Sequence, residues 1–491
     1  MKHSSIVFAC SLLLSVLTGM AHATAAPARA DPFHNLAFRN LGPSIMGGRV
    51  SSVVGIPGNP KVYYVGAASG GVWKSTDGGY QWKAIFTHEP TASISDVVLD
   101  PSNPNIVWVA TGEVNIRNDV LSGAGLYRSK DAGKTWTLMG FKNAGNISKV
   151  VVDPHDSNIV WVAVLGHVWG PNAERGVFKT TDGGKTWKKV LFINNHTGAI
   201  DLTTDGANSQ ILFAAMWQAQ RYPWKLEDGG SYSGLWRSTD GGDTWTKLRN
   251  GIPKPPLGRI AVAVAPSNPH HVYALIETRP GHGLLFGSHD LGSHWQQVSD
   301  NYALDVRPFY FSHVYVAPHN ENELYFTSLF LMKSDDGGHS AHPIDYGVHT
   351  DHHSFWQDPT NPSRMIDGED AGVYISLDAG AHWRFVNTLP IEQFYQVAAD
   401  SSQPYNLCGG LQDGEGWCGP SVPPPTHLPF YKKVIDQYWF YIPLGDGQYV
   451  VPAPTNPNII YADGQGGHIV RYNVSVADDM SGLRSTRVVR F

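Results

Sequence analysis

The chain has 491 residues, including 52 glycines, 33 prolines and 16 tryptophans, and 42% of it is hydrophobic. Glycine and proline exceed ordinary usage while charged residues, at 16%, fall below the usual level of about 25%; this excludes a disordered chain and points to an all-β protein rich in turns. With 36 basic and 42 acidic residues the net charge is −6, which argues against a nucleic-acid binder, whose affinity comes from a basic face.

Residues 1–23 read as a signal peptide. Lys2 supplies the positive start, Ile6 to Leu17 the apolar stretch and Ala21-His22-Ala23 the cleavage site. The apolar stretch is too short to span a bilayer, and no later segment is long enough. The protein is therefore expected to be secreted or periplasmic, without a membrane span. Residues 24–37 read as a linker. Cys10 would leave with the signal peptide, so Cys408 and Cys418 remain, flanking a turn-rich stretch. A disulfide across that hairpin is expected, with two free thiols as the alternative.

From residue 38 onward two short words alternate. The first, S-x-D-x-G-x-x-W, centres on Asp77, Asp131, Asp182, Asp240, Asp290 and Asp378, with a degenerate copy at Asp336 that has lost its Trp. Its Asp can accept hydrogen bonds from the backbone of its own turn, and its Gly supplies a positive-φ position. These aspartates are expected to form turns and not to catalyse. The second word is an apolar strand, a D-P-x-N-P turn and a V-[YW]-V strand, as in Val97–Trp108. It recurs at Pro57, Asp153, Asp205, Pro266, Ala317, Asp358, Asp400 and Pro454.

Each unit thus predicts four antiparallel strands, A to D, over about 40–60 residues, the signature of a propeller blade. Seven complete blades are expected over residues 38–390. Two further blade-like units without the Asp word occupy residues 391–491, either starting a second propeller or joining one larger ring.

The A–B and C–D turns fall on one face and are monotonous. The B–C and D–A connections fall on the other and carry the irregular residues, as binding loops do on a rigid scaffold. Candidate ligand-binding residues there are Glu113, Arg117, His167, Trp169, Trp217, Arg221, Trp224, Arg307, Tyr310, Asp351, His352, Asp370 and Asp446. Carboxylates, amides and aromatics on a concave surface suit a polysaccharide or a peptide. A glycosidase needs two carboxyl groups flanking the scissile bond, and Glu369 with Asp413, which end neighbouring B strands, are the expected pair. Hydrogen bonding to loop backbone is the alternative role for all of these acids. Asp351, His352 and His353 are metal-ligand types, but adjacent strand residues point to opposite faces, so no metal or other cofactor is expected. No G-x-S-x-G elbow is present.

The S-x-D-x-G-x-x-W word is the Asp-box of BNR-repeat proteins. Its grammar resembles three groups: xyloglucan-degrading endoglucanases with tandem propellers, sortilin-type peptide receptors, and photosystem II assembly factors. Gly47-Gly48-Arg49-Val50, Gly66–Trp73, Asp351-His352-His353, Gly410–Asp413 and Gly445-Asp446-Gly447 look most like large bacterial secreted BNR-repeat glycosyl hydrolases, also described as sortilin N-terminal proteins. The resemblance covers residues 38–475 and implies either polysaccharide hydrolysis or non-catalytic recognition of a peptide or protein. It departs at Ala68, which stands where the xyloglucan enzymes carry a catalytic Asp. The F/Y-R-I-P pattern of sialidases is absent too; Phe38-Arg39-Asn40-Leu41 takes its place.

Overall fold

The computed structural model describes residues 41–42, 47–279, 282–422, 439–443, 445–447, 449–474 and 489–490. The expected signal peptide and linker lie outside the described residues. Among those described, the strands group into nine antiparallel sheets of sequential order. Each has four strands, and the fourth sheet carries an extra one, Lys225–Asp228, paired with the end of Leu212–Tyr222. The protein is an all-β propeller of four-stranded blades.

Both words form the turns their chemistry predicts. In the first Asp-box, Asp77 Oδ1 accepts from the backbone N–H of Tyr80 and Gln81, and Ser75 Oγ accepts from Gly79 N at 2.9 Å. In the other word, Asp100 Oδ1 accepts from Ser102 N and Asn103 N. The Asp-box tryptophans then tie sheets together: Nε1 of Trp136, Trp187 and Trp383 donates to Ile85, Met139 and Ile344 carbonyls of the preceding sheet.

The box has two positive-φ positions that differ in what they tolerate. The first is Gly in four copies but Ala132, Leu291 and Ala379 in three, all at φ near +60°. The second is always Gly, because there is no room: a Cβ on Gly242 would meet Trp161 Nε1 at 2.7 Å. Gly242→Ala is therefore expected to cost about 2–4 kcal/mol, combining left-handed strain with overpacking. Gly241→Ala should cost about 1 kcal/mol. Urea denaturation midpoints of the two variants check the contrast.

The leading strands of the sheets pack side by side, and polar side chains stitch them. Ser52 Oγ accepts from Val97 N at 2.9 Å, Asp96 Oδ2 from Val150 N at 3.1 Å and Asp201 Oδ2 from Val262 N at 2.9 Å. Tyr315 OH accepts from Phe355 N, and Ser354 Oγ from Val53 N at 2.9 Å. These contacts occupy backbone groups that an unpaired strand edge would leave exposed. The last of them joins the seventh sheet to the first.

A register shift accompanies the stitches. In five leading strands one extra residue bulges out, at Ser51, Ser95, Ser148, Ile200 and His353. The three serines donate to Ile94, Ile147 and Ala199 carbonyls of the next sheet. A bulge re-aims the residue it expels, and in the seventh sheet that residue is His353.

The seventh and first sheets meet a second time on the A–B turn face. Arg364, 1% exposed, donates to Asp358 Oδ2 through Nε at 2.9 Å and a terminal nitrogen at 2.6 Å. It also donates to the carbonyls of Ile56 and Asn59 in the first sheet. Gly58 N donates to the same Asp358 carboxylate.

In the eighth sheet, Cys408 and Cys418 sit on facing positions and are disulfide-bonded.

Candidate functional site

A cavity of about 660 Å³ is lined by residues from connections between second and third strands and from segments entering leading strands. Its carboxylates are Asp119, Asp351, Asp370, Asp413 and Asp446; its guanidinium groups are Arg117, Arg221 and Arg307; Phe309, Tyr310, Phe394 and Tyr395 add aromatic surface. The volume lies within the range of small-molecule and oligomer sites.

Asp370, in the turn after Asn361–Glu369, is the hub. It is 2% exposed. Its carboxylate accepts from Tyr310 OH at 2.6 Å, from His353 Nε2 at 2.7 Å and from Gln412 Nε2 at 3.2 Å. Tyr310 OH in turn accepts from Arg49 at 2.9 Å and Arg117 at 3.2 Å. With Nε2 facing a carboxylate, His353 Nδ1 faces the Asn115 amide at 3.1 Å. Burial alone would raise Asp370, but His353, Arg49 and Tyr310 outweigh it and hold the carboxyl well below the usual range.

Asp413 behaves oppositely. Burial, then the negative charge of Asp370, push it up to about 7. It stands at φ 51° in the turn between Asn406–Gly410 and Gly416–Pro420. Gln412 Nε2 donates to it at 3.0 Å, and its own N–H donates to Asp446 Oδ1 at 2.9 Å. One amide nitrogen therefore bridges both carboxyl groups, and their environments push their protonation apart, as acid–base pairs require.

Two more lining residues hold left-handed backbone: Arg307 at φ 56° and Asp351 at φ 73°. They form an ion pair at 2.8 Å. Three strained non-glycine residues around one cavity, Arg307, Asp351 and Asp413, are the kind of cost that functional sites carry.

The family model Sortilin-Vps10, described as sortilin, neurotensin receptor 3, matches residues 70–216 and 124–255. A xyloglucanase of Acetivibrio thermocellus is 28% identical over 248 residues, 46% of this chain and 27% of the relative. A Paenibacillus xyloglucanase is 24% identical over 283 residues, 53% of this chain and 26% of the relative. Among solved structures, the GH74 enzyme of Niastella koreensis superposes with a TM-score of 0.63 at 16% identity, over 91% of this chain and 67% of that one. An ancestral GH74 enzyme matches at 0.63 and 16%, over 91% and 63%. The chain is a BNR-type, sortilin-like propeller distantly resembling the xyloglucanases. It spans about a quarter of the length of those curated relatives.

In this glycoside-hydrolase-like propeller, seven of the expected site residues line the cavity together: Arg117, Arg221, Arg307, Tyr310, Asp351, Asp370 and Asp446, with Asp413 beside them. Others stand elsewhere. Glu369 is fully buried outside the lining; its Oε2 pairs with His349 Nδ1 at 3.1 Å and accepts from Ala371 N. It ends a paired strand, whereas Asp370 has already left it, so the chain turns the second acid and not the first toward the cavity. Glu113 is buried in an ion pair with Arg49 at 2.8 Å. Trp217, expected to stack on a ligand, is buried in the core, because its strand is covered on both faces. His352 is buried between Asp367 at 2.7 Å and Asp345 at 3.2 Å. Burial would lower it, but these carboxylates push it up to about 10, making it a structural imidazolium. His167 is half-buried away from the lining, and Trp169 and Trp224 are exposed outside it.

Sequence reasoning missed Arg49 and Gln412 as site residues and gave His353 no role. Arg49 had a signal: it stands immediately before the leading strand Val50–Ile56, the place that Arg259 holds before Ile260–Val264. Among the described residues no group of three His, Cys, Asp or Glu is placed to hold a metal ion, and no helix is long and apolar enough to cross a membrane.

Proposed function

We propose that this protein is a secreted glycoside hydrolase that binds polysaccharide in the cavity on the B–C and D–A loop face and cleaves it there. The observation that carries the reading is one cavity that gathers the carboxyl groups of Asp351, Asp370 and Asp413, the last two bridged by Gln412 Nε2 at 3.2 and 3.0 Å. Glycoside hydrolysis needs a carboxylic acid to protonate the leaving oxygen and a second carboxylate to serve the other side of the sugar. Asp413 keeps its proton near neutral pH and takes the acid role. Asp351, oriented by Arg307 at 2.8 Å, takes the role of the carboxylate that activates water. Asp370 acts through Asp413 by keeping the proton on it. Glu369, which the sequence favoured, is enclosed and serves the turn that presents Asp370. The names of the relatives support the substrate class. With Ala68 where they are expected to carry a catalytic Asp, this chain's carboxylate pair is its own.

The same proposal takes residues 1–23 as signal peptide, 24–37 as linker, 38–390 as one seven-bladed ring and 391–491 as two further blade units. The stitch from Ser354 to Val53 and the Arg364 contacts support closure between the seventh and first sheets.

The test is a screen for reducing-sugar release over plant and microbial glycans. Product is expected from at least one polymer, with a rate that falls as pH rises through about 7, because Asp413 must be protonated to act. A peptide-binding role is the second reading, favoured by the Sortilin-Vps10 match. Absence of product from every glycan, together with retention of peptides on an array, would put that reading in its place.

A further inference from the structure

We infer that the cavity takes an acidic polysaccharide, with a uronate carboxylate held by Arg221; this rests on the hydrolase reading above. The carboxyl groups of the cavity already have partners: Asp413 accepts from Gln412 Nε2 and Asp446 from Asp413 N. Asp370 is satisfied by Tyr310, His353 and Gln412. Asp351 is paired with Arg307. Asp119 accepts from Gln393 Nε2 at 3.1 Å and faces Arg117 Nε at 3.8 Å. Arg117 also donates to the Tyr310 and Tyr395 hydroxyls.

Arg221 is different. Among the described residues no carboxylate lies within ion-pair distance of its guanidinium, and its Nε is buried without a hydrogen-bond partner. A guanidinium without a partner in a concave site is a planar, two-pronged receptor for a carboxylate. Its position is fixed: it is the penultimate residue of the strand Leu212–Tyr222, pairs with Leu226 across the extra hairpin, and its backbone N–H donates to Val168 O at 2.7 Å.

Phe309, Tyr310, Phe394 and Tyr395 line the same cavity as Arg221, aromatic surface on which a sugar ring stacks while its carboxylate meets the guanidinium. A neutral glucan would leave Arg221 unpaired in the complex.

The experiment compares polygalacturonate with the neutral polymer xyloglucan, by affinity electrophoresis and by reducing-end release, for the full chain and for Arg221→Gln. Tighter binding of polygalacturonate is expected. Arg221→Gln should weaken it about tenfold or more and weaken xyloglucan binding much less, so that the preference between the two polymers shrinks. An unaltered thermal transition in the variant establishes that the loss is local. Preference for xyloglucan, or an Arg221→Gln variant that binds polygalacturonate like the parent, overturns the inference and leaves the hydrolase reading standing. Failure to bind or cleave either polymer or any other glycan brings down both. Peptide retention through a free terminal carboxylate, lost in Arg221→Gln, reassigns the guanidinium to a peptide ligand and overturns the inference.

Discussion

Asp413→Asn is expected to lower glycan hydrolysis by about a hundred- to ten-thousand-fold, the usual contribution of a positioned general acid. The amide is isosteric. It can still accept from Gln412 Nε2, and the backbone N–H donated to Asp446 is untouched. Polymer binding should therefore persist while turnover collapses, which steady-state kinetics and affinity electrophoresis separate. Asp370→Asn provides the complementary test. It removes the negative charge that, after burial, holds Asp413 up. Asp413 should then lose its proton at lower pH, and the alkaline limb of the pH–rate profile should move down. Unchanged turnover in Asp413→Asn would remove this residue from the chemistry, and an unmoved limb in Asp370→Asn would break the link between the two carboxyls.

The second large effect is on stability. Arg364→Met is expected to cost about 3–5 kcal/mol, as breaking one side of a buried ion pair does. Arg364 and Asp358 are each about 1% exposed, and removing the cation leaves a buried carboxylate facing only Gly58 N–H and its own turn. Two carbonyls of the first sheet lose their donor as well. Lowered urea midpoints and faster amide exchange in Val50–Ile56 and His352–Asp358 are the expected signs. Lys225→Ala, which breaks an exposed pair with Glu227, should change stability by less than about 1 kcal/mol and serves as control. A small loss in Arg364→Met, with exchange in the two strands unaltered, would show that closure does not depend on this joint.

The blade grammar was legible in the sequence because each word solves a local backbone problem. An Asp that caps its own turn, and a Gly where only a hydrogen atom fits, leave their mark within eight residues. The grouping of Arg117, Arg307, Tyr310, Asp351, Asp370 and Asp413 around one cavity was legible for a similar reason: irregular residues stand out between the two regular words. What escaped was parity at strand ends. Glu369 and Asp370 are neighbours, and only the place where pairing stops decides which one enters the cavity. The bulge at His353 was equally silent, because an extra residue shifts every later side chain without changing composition. Trp217 was misjudged since the exposure of a strand's far end depends on what a distant sheet lays over it.

The bulge has a mechanical corollary. In the first three sheets the expelled residue is a serine that fastens its blade to the next one's carbonyl. In the seventh it is a histidine turned inward to Asp370. The junction of the seventh and first sheets has thus exchanged a fastening at the cavity end for a contact to Asp370, while the Arg364 clasp holds the opposite end. A junction built this way gives most at the rim of its own cavity.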